Sequence, residues 1–475
     1  ENKEIEEGRN TGGLNYKDYL KSKRIYGVLM WKNGKIKKDY NQKISIEKIK
    51  EFIIERIYKY LPKDSADFCL ALSIGYKTGL SKEVTENFRT NNLAHMLAIS
   101  GLHVSYLIFI INTLLKPIKT NAKFILIMVF LLFFMQLVGN TASVNRACIV
   151  VILNLFASVI YRKSDQVTNL AISAGIILLI NPYSIMDLCF IYSYIGTIGI
   201  IVMYPILKSK TEIFIIKCVN INNNYSQKKH GLIIKNFMKF TKYIIEMLLI
   251  SISVNSLLMP IIIYNNNNIP LVFIFSNLII SPVLILCIIF SMIIVIIYVV
   301  PLNIYCIINK FYSFLVNIII IVTKYFSNLS VLDVIVVTPS IFSVLLAYFF
   351  ITLFIYLEKN EQVKKQIFYY IKKYFSLKKV FVLISCVIIL FSFLKFRKRE
   401  LKVYFVDVGQ GDCTLIVTPN NKKILIDGGG SLSEEYDIGK SILQPYLLDR
   451  KIKTIDFLII SHFDFDHVRS VYFTL

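Results

Sequence analysis

The stretch that decides the fold is Ala94-His95-Met96-Leu97-Ala98-Ile99-Ser100-Gly101-Leu102-His103-Val104. The sequence before it is polar and mixed, whereas apolar runs dominate residues 104–395 after it. Two histidines, a serine and a glycine therefore stand where the first strongly apolar segment begins. Polar groups at a membrane boundary cost free energy unless they are paired or hydrated, which favours a functional role. The structural alternative is that Ser100 and Gly101 only let a neighbouring helix approach closely.

The composition is that of a membrane protein with several spans. Hydrophobic residues make up 55% of the 475 positions and the mean hydropathy is +0.59, which is too apolar for a soluble globular chain. The formal net charge of +23 suits anionic lipid, nucleic acid or both. Lysines that keep loops in the cytoplasm account for much of that charge. The eight cysteines form no C-x-x-C pair, so nothing indicates a disulfide framework or a cysteine zinc site.

The apolar part of the chain divides into ten segments, at 104–115, 124–138, 147–160, 168–181, 187–207, 243–263, 271–299, 303–323, 333–356 and 380–394. Several are shorter than the roughly 20 residues that a full span needs, so tilted or re-entrant segments are expected among them. If all ten cross, the loops on one side carry 20 lysine and arginine residues and those on the other side carry 2. The positive-inside rule then places the basic loops in the cytoplasm and both terminal regions outside.

One basic cluster does not fit this predicted topology. It follows the last apolar segment on the predicted outer side and consists of Lys395, Arg397, Lys398, Arg399 and Lys402. Either these side chains hold a DNA backbone at the outer surface, or one span has been miscounted.

The residues before the spans are soluble in character. The sequence predicts a strand over 24–31 with a hairpin turn at Asn33-Gly34. Apolar spacing predicts a helix over 44–60 and a moderately amphipathic helix over 66–81, which we expect to lie along the membrane surface.

From Leu401 the pattern becomes that of a soluble α/β domain. Strands are predicted over 401–406, 414–418, 423–426 and 457–460, and the last of them is expected to be buried because it is uniformly apolar. A helix is predicted around 438–448.

The predicted buried strand leads into four side chains of metal-binding type, which are His462, Asp464, Asp466 and His467. The carboxyl ends of strands are where α/β folds place their sites. Imidazole and carboxylate groups are ligands for divalent transition metals. A metal centre is therefore predicted here, and a solvated polar loop is the alternative.

Several motifs resemble one known family. Residues 97–103, Leu97-Ala98-Ile99-Ser100-Gly101-Leu102-His103, resemble the hallmark of the ComEC-type competence proteins, and Gly75–Ser81 and Phe88-Arg89 fit the same pattern. Three later stretches are similar to that family as well: Asn145-Arg146-Ala147, Asn181-Pro182 with Phe190–Gly199, and the run from Pro260 through Asn277 to Pro282. The terminal block resembles the metallo-β-lactamase fold in Asp407-Val408-Gly409-Gln410-Gly411-Asp412 and in Ile426-Asp427-Gly428-Gly429.

This resemblance implies a polytopic α-helical membrane protein with a partial N-terminal OB-like β region and a truncated C-terminal α/β metallo-β-lactamase-like domain. The domains expected from it are an OB-like region at 1–62, the amphipathic helix and competence motif at 63–103, a multi-span competence domain at 104–395, and the first part of the hydrolase domain at 400–475. The chain is expected to be a piece cut at both ends.

The function implied by the resemblance is transport of single-stranded DNA across the cell membrane during natural transformation, with an external metal-dependent phosphodiesterase domain. The expected partners are single-stranded DNA, membrane lipid, a DNA receptor, a helicase or ATPase of the competence machinery, and a second copy of the chain. Two alternatives stay open. The helical bundle is only an anchor for a metallohydrolase, or the protein is a solute transporter with a degenerate hydrolase domain.

The resemblance also assigns roles to residues. Asp466 is the expected catalytic residue among the four metal ligands, and Asp407 and Asp427 are expected to brace them. Asp464 stands where metallo-β-lactamases usually have a second histidine, so manganese, zinc and magnesium, and one or two ions, all stay open. The candidates for lining a DNA passage are His95, Ser100, Gly101, His103, Arg146, Tyr192, Ser193 and Tyr194. Close packing of small side chains, and snorkelling of Arg146 to the membrane surface, are the alternatives.

Overall fold

The computed structural model describes residues 2–3, 10–12, 15–29, 45–212, 231–269, 272–299, 305–329, 334–374, 400–409, 411–430, 437–464 and 467. It divides into two compact units. The first consists of Glu1–Glu4, Asp18–Leu258 and Pro270–Val334, and the second of Ile5–Lys17, Met259–Ile269 and Ile335–Leu475.

The described helices are α1 Tyr16–Ser22, α2 Ile46–Tyr60, α3 Lys63–Ile74, α4 Lys82–Thr90, α5 Gly101–Leu114, α6 Thr120–Val138, α7 Ala142–Val159, α8 Gln166–Ile180, α9 Leu188–Glu212, α10 Gly231–Asn266, α11 Phe273–Val299, α12 Tyr305–Asn328, α13 Ile341–Lys359, α14 Glu361–Tyr374 and α15 Gln444–Asp449. The described strands are β1 Asn2–Lys3, β2 Val28–Leu29, β3 Asn268–Ile269, β4 Val334–Ile335, β5 Lys402–Phe405, β6 Thr414–Val417, β7 Lys423–Ile426 and β8 Phe457–Ile459.

Eight of the described helices are long and apolar enough to cross a membrane, and they are α5 with the turn before it, α6, α7, α9, α10, α11, α12 and α13. The apolar helix α8 has only 15 residues, which is short of a full span. These nine helices coincide with nine of the ten predicted apolar segments. The tenth segment, 380–394, lies outside the described residues. The protein is therefore a multi-pass membrane protein, and the predicted polytopic fold class is confirmed.

Local sequence signals begin and end several of these helices. The Asp165 carboxylate accepts the amide of Thr168 at 2.7 Å and caps α8, as side-chain oxygens do at orphan helix N-termini. Ser340 caps α13 in the same way. Gly139 ends α6 with φ of +94°, a left-handed conformation that glycine adopts without strain.

Helix α3 corrects the prediction of a surface helix over 66–81. The helix ends at Ile74, and all residues from Ser65 to Ile74 are buried. It packs against α2, α11 and α12. Its many small side chains let neighbours cover every face, which a count of apolar residues on one face does not reveal. The surface position predicted for this helix is wrong.

The N-terminal region shows little of the expected OB-like β structure among its described residues. The strands β1 and β2 pair antiparallel over two residues each, Asn2 with Leu29 and Lys3 with Val28. Most of the predicted strand and its hairpin turn at Asn33-Gly34 lies outside the described residues. The OB-like assignment therefore stays a prediction.

Contacts in the first unit join the N-terminal helices to the helices that follow them. The residue after α1, Lys23, places its Nζ 2.6 Å from the Asp187 carboxylate, just before α9. Near α4, the amide of Asn91 donates to the carbonyl of Thr323 in α12 at 2.8 Å. These contacts join the start of α9 and the end of α12 to segments that precede the first span.

In the second unit a four-stranded sheet has the order β5-β6-β7-β8. The first three strands pair antiparallel and β8 pairs parallel to β7. The core under the sheet contains Leu415, Leu425 and Leu443, each no more than 2% exposed. The strand β8 was predicted to be buried, but Phe457 is 58% and Ile459 49% exposed on one face of it, and β8 is the last strand of the described sheet. A uniformly apolar run does not show whether both faces of a strand are covered.

Candidate functional site

The start of α5 holds a short polar network within the first predicted span. The ring nitrogen Nδ1 of His103 accepts the backbone amide of Ser100 at 3.2 Å and lies 3.1 Å from the Ser100 hydroxyl. His103 is only 2% exposed, and its Nε2 has no hydrogen-bond partner within the described part of the chain. A buried ring nitrogen is costly when it has no partner, so His103 stays a candidate for a functional role.

Arg146 of α7 connects α5 to α9. Its Nη1 donates to the hydroxyl of Thr197, which in turn donates to the carbonyl of Ser193 at 2.7 Å. A Cβ atom built on Gly101 would lie 2.9 Å from the Arg146 Nη2. The guanidinium therefore occupies the space that the missing side chain of Gly101 leaves. Three stretches that are far apart in sequence meet at this arginine.

The other channel candidates have different surroundings. The Tyr194 hydroxyl lies 3.0 Å from the Ser173 hydroxyl of α8, and Tyr194 is 7% exposed. His95 is exposed, with its Nδ1 3.1 Å from the carbonyl of Asn92. Tyr192 is partly buried. The Tyr194 side chain thus braces α9 against α8.

In the terminal domain the carboxyl ends of β7 and β8 meet because these two strands are parallel. Asp427 follows β7, is 3% exposed and has φ of +53°. Its carboxylate accepts the backbone amide of Ser461 at 2.8 Å and the Ser461 hydroxyl at 2.7 Å. It also lies 3.1 Å from Nδ1 of His467. The Asp427 carboxylate, at the end of β7, therefore holds both the residue after β8, Ser461, and the last residue of the motif, His467.

The two histidines of the motif lie side by side. The ring centroids of His462 and His467 are 3.9 Å apart. The His462 Nε2 lies 3.3 Å from the Asp464 carboxylate, and its Nδ1 lies 2.9 Å from the Ser461 hydroxyl. Of the four predicted ligands, His462 lies next to His467 and next to Asp464, and Asp466 lies outside the described residues.

The pKa of Asp427 is set by opposing effects. Burial raises this pKa, but hydrogen bonds from Ser461 and His467 outweigh burial and leave it below its ordinary value. The carboxylate therefore stays charged at neutral pH. A charged carboxylate on Nδ1 orients a histidine ring so that its Nε2 can bind a metal.

The imidazole and carboxylate groups of the motif are suitable donors for a divalent metal, although the described side chains do not form a complete set of metal ligands. Within the described ranges no group of three or more His, Cys, Asp or Glu side chains is close enough to hold an ion. The backbone amide of Gly409 donates to the Asp407 carboxylate at 3.0 Å, and the Asn10 amide donates to the Asp407 carbonyl at 2.5 Å. The bracing role predicted for Asp407 stays a prediction.

A model of the Competence protein family matches residues 72–361. The chain belongs to this competence family. A model of the metallo-β-lactamase superfamily matches residues 406–473, which implies the use of a divalent metal. The resemblance drawn from the sequence motifs is thereby confirmed.

Among curated proteins, the chain is similar to ComE operon protein 3 of Bacillus subtilis (strain 168), with 24% identity over 476 aligned residues. The alignment covers 96% of this chain and 56% of that protein, so the chain spans little more than half the length of this relative. No solved structure matches.

The residues that contact the candidates could not be identified in the sequence of this competence-family chain. Thr197, which holds Arg146, stood there only within the stretch Phe190–Gly199 that resembles the family. A Cβ on Gly199 would lie 2.7 Å from the carbonyl oxygen of Ser253, so α9 and α10 are in backbone contact there. The amide of Asn277 in α11 donates to the Ser251 hydroxyl of α10 at 2.7 Å. The spacing Gly196-x-x-Gly199 was the available signal for the first of these two helix contacts.

Proposed function

We propose that this protein passes single-stranded DNA across the cell membrane, with a metal-dependent phosphodiesterase domain on the outer side. The observation that supports it most is the position of Arg146 between α5 and α9, against Gly101 and Thr197. A guanidinium within an apolar bundle costs free energy and is retained where it serves function. Phosphates of a passing strand are anions that such a group attracts.

Snorkelling is the competing explanation of Arg146, because the residue lies in the first turns of α7. It does not account for the hydrogen bond from the guanidinium to Thr197 of a different helix. It also does not account for the glycine at position 101, whose absent side chain makes the room. A passage lined by small and polar side chains accounts for both.

The outer domain would hydrolyse phosphodiester bonds. His462, Asp464, Asp466 and His467 would hold the metal, with Asp427 and Asp407 bracing them. A divalent ion held there would supply a water made acidic enough to act as a nucleophile near neutral pH. Asp427 keeps the His467 ring in place through Nδ1. Manganese, zinc and magnesium are all compatible with imidazole and carboxylate donors.

Both terminal regions are proposed to be outside the cell. The support is the charge asymmetry of the loops, because the basic loops belong in the cytoplasm. A cysteine placed at Asn421, in the exposed turn between β6 and β7, should react with a membrane-impermeant thiol reagent on intact cells. A cysteine placed at Asn222, in a basic loop, should react only after the membrane is opened. The protein without an added cysteine gives the background, and the opposite labelling pattern would refute this topology.

A complementation experiment tests whether the helix bundle forms a passage for DNA or only anchors the terminal domain. A strain that lacks the protein should recover the uptake of labelled DNA when the wild-type gene is returned. It should not recover when residues 400–475 are tethered to an unrelated single span, because the bundle itself is needed. Equal uptake with the unrelated span would establish that the bundle is only an anchor. Uptake of small solutes without any effect on DNA would favour a transporter instead.

A further inference from the structure

The terminal domain contains a cavity of ≈ 550 Å³ that is separate from the His462–His467 cluster. Four cations line it, Lys402, Lys423, Arg450 and Lys451, together with a single carboxylate, Glu400. This volume lies in the range of small-ligand sites in proteins. A concave wall with a large excess of positive charge suits an anionic ligand.

The register of the sheet explains why two of these lysines meet. Lys402 of β5 is paired with Val417 of β6, and Val417 is paired with Lys423 of β7. Residues directly opposite one another in an antiparallel sheet point to the same face. Lys402 and Lys423 therefore share one cross-strand row at one end of the sheet, although 20 residues separate them in the sequence.

Arg450 is held in place by two aromatic rings. Its guanidinium carbon lies 4.5 Å from the centroid of the Tyr404 ring and 5.3 Å from that of the buried Tyr446 ring. Such contacts orient the planar guanidinium and leave its N–H edges available for bidentate binding of a phosphate. Little side-chain entropy is then lost when an anion binds.

Among the described residues, none of the four cations of the cavity forms a salt bridge with a carboxylate, although Lys423 is close enough to Asp456 to interact with it electrostatically. The Lys451 Nζ donates to the carbonyl of Thr338 instead. Lys422 shows the contrast, because its Nζ lies 3.2 Å from the Asp456 carboxylate while the adjacent Lys423 side chain forms no such pair. Basic residues at a helix C-terminus complement the helix dipole, which would explain Arg450 and Lys451 after α15. That explanation does not cover the lysines that two strands contribute.

The cavity and the histidine cluster lie at opposite ends of one strand. Lys423 begins β7 and Asp427 follows its end, which at 3.3 Å per residue is a separation of about 13 Å. An anion in the cavity would therefore not contact the histidine cluster. The cavity is distinct from the predicted metal site of the same domain.

We propose that this cavity binds the phosphodiester backbone of single-stranded DNA, a choice of ligand that rests on the proposed function. Four cations from three separate elements would be more than a single phosphate needs, which favours several phosphates of one strand. Lys402 also belongs to the basic cluster that follows the last apolar segment, so the proposal gives that cluster a ligand on the outer side.

Lysine acetylation of the purified full chain in a neutral detergent tests the proposal without any substitution. An oligothymidylate at ten times its Kd should slow acetylation of Lys402 and Lys423 by about tenfold. The exposed Lys453, which does not line the cavity, should react at an unchanged rate in the same sample. Equal rates at all three lysines with bound oligonucleotide would overturn the proposal.

Two variants and a competitor complete the test. The double change Lys402→Gln with Lys423→Gln should weaken oligothymidylate binding about tenfold or more and make it less dependent on salt, whereas Lys453→Gln should not. Unchanged affinity in the double variant contradicts the assignment. If thymidine monophosphate or inorganic phosphate protects Lys402 and Lys423 from acetylation as well as the oligothymidylate does, the cavity binds single phosphates, and the proposal that it binds a strand is wrong. All of these are binding measurements, so they can succeed or fail independently of DNA uptake in cells.

Discussion

A Gly101→Leu variant is expected to lose DNA uptake by about 100-fold while staying in the membrane, because an arginine without its partners in an apolar bundle costs about 3 kcal/mol. A Cβ atom at position 101 would already lie 2.9 Å from the Arg146 Nη2. Leucine would fill the space of the guanidinium and separate Arg146 from Thr197. The measurement is uptake of labelled DNA, with the amount of protein in the membrane fraction determined in parallel.

The chain offers a matched control in Gly175 of α8, around which no atom lies within 4 Å of a built Cβ. Gly175→Leu should leave uptake unchanged. Gly101→Ala should give an uptake between those of the wild type and Gly101→Leu, because the closest contact of its Cβ is the flexible end of Arg146. If the Gly101→Leu protein does not accumulate, Arg146→Gln tests the need for the guanidinium without adding a larger side chain. Normal uptake by Gly101→Leu or Arg146→Gln, at wild-type amounts, would leave packing as the role of this site.

An Asp427→Asn variant of the purified full chain is expected to bind Mn²⁺ about 10–100-fold more weakly, the usual cost of losing a residue that orients a metal ligand. The Asp427 carboxylate holds Nδ1 of His467 at 3.1 Å and accepts two hydrogen bonds from Ser461. The neutral amide of asparagine would hold the ring less firmly. His467→Ala should weaken binding further, and any cleavage of single-stranded DNA should fall with it. Calorimetry gives the metal affinity and gel electrophoresis the cleavage.

Asp456 provides the control for this experiment. It lies at the start of β8, the opposite end from Ser461, and accepts the backbone amide of Lys423 at 2.9 Å. Asp456→Asn removes a carboxylate of the same domain without touching the histidines, so metal affinity should stay unchanged. An equal loss in both variants would indicate general unfolding, and no loss in Asp427→Asn would remove this residue from the site.

The sequence by itself determined that the protein has several membrane spans, and it placed the histidine and aspartate motif directly after a strand. Span hydropathy is a local property, because a segment needs only its own apolar side chains to favour lipid. Nine apolar segments could therefore be predicted one by one. The motif at His462–His467 could be placed because a strand end is recognised from its own residues and those directly after it.

Only the tertiary structure decided which of these residues meet. Helix α3 is buried because α2, α11 and α12 surround it, and β8 is partly exposed because no described element covers the face of Phe457 and Ile459. Both depend on neighbours far away in the sequence. The contact of Gly101 with Arg146 and the row formed by Lys402 and Lys423 have the same origin. Partners of this kind are chosen by packing and register, which the pattern of a single segment does not contain.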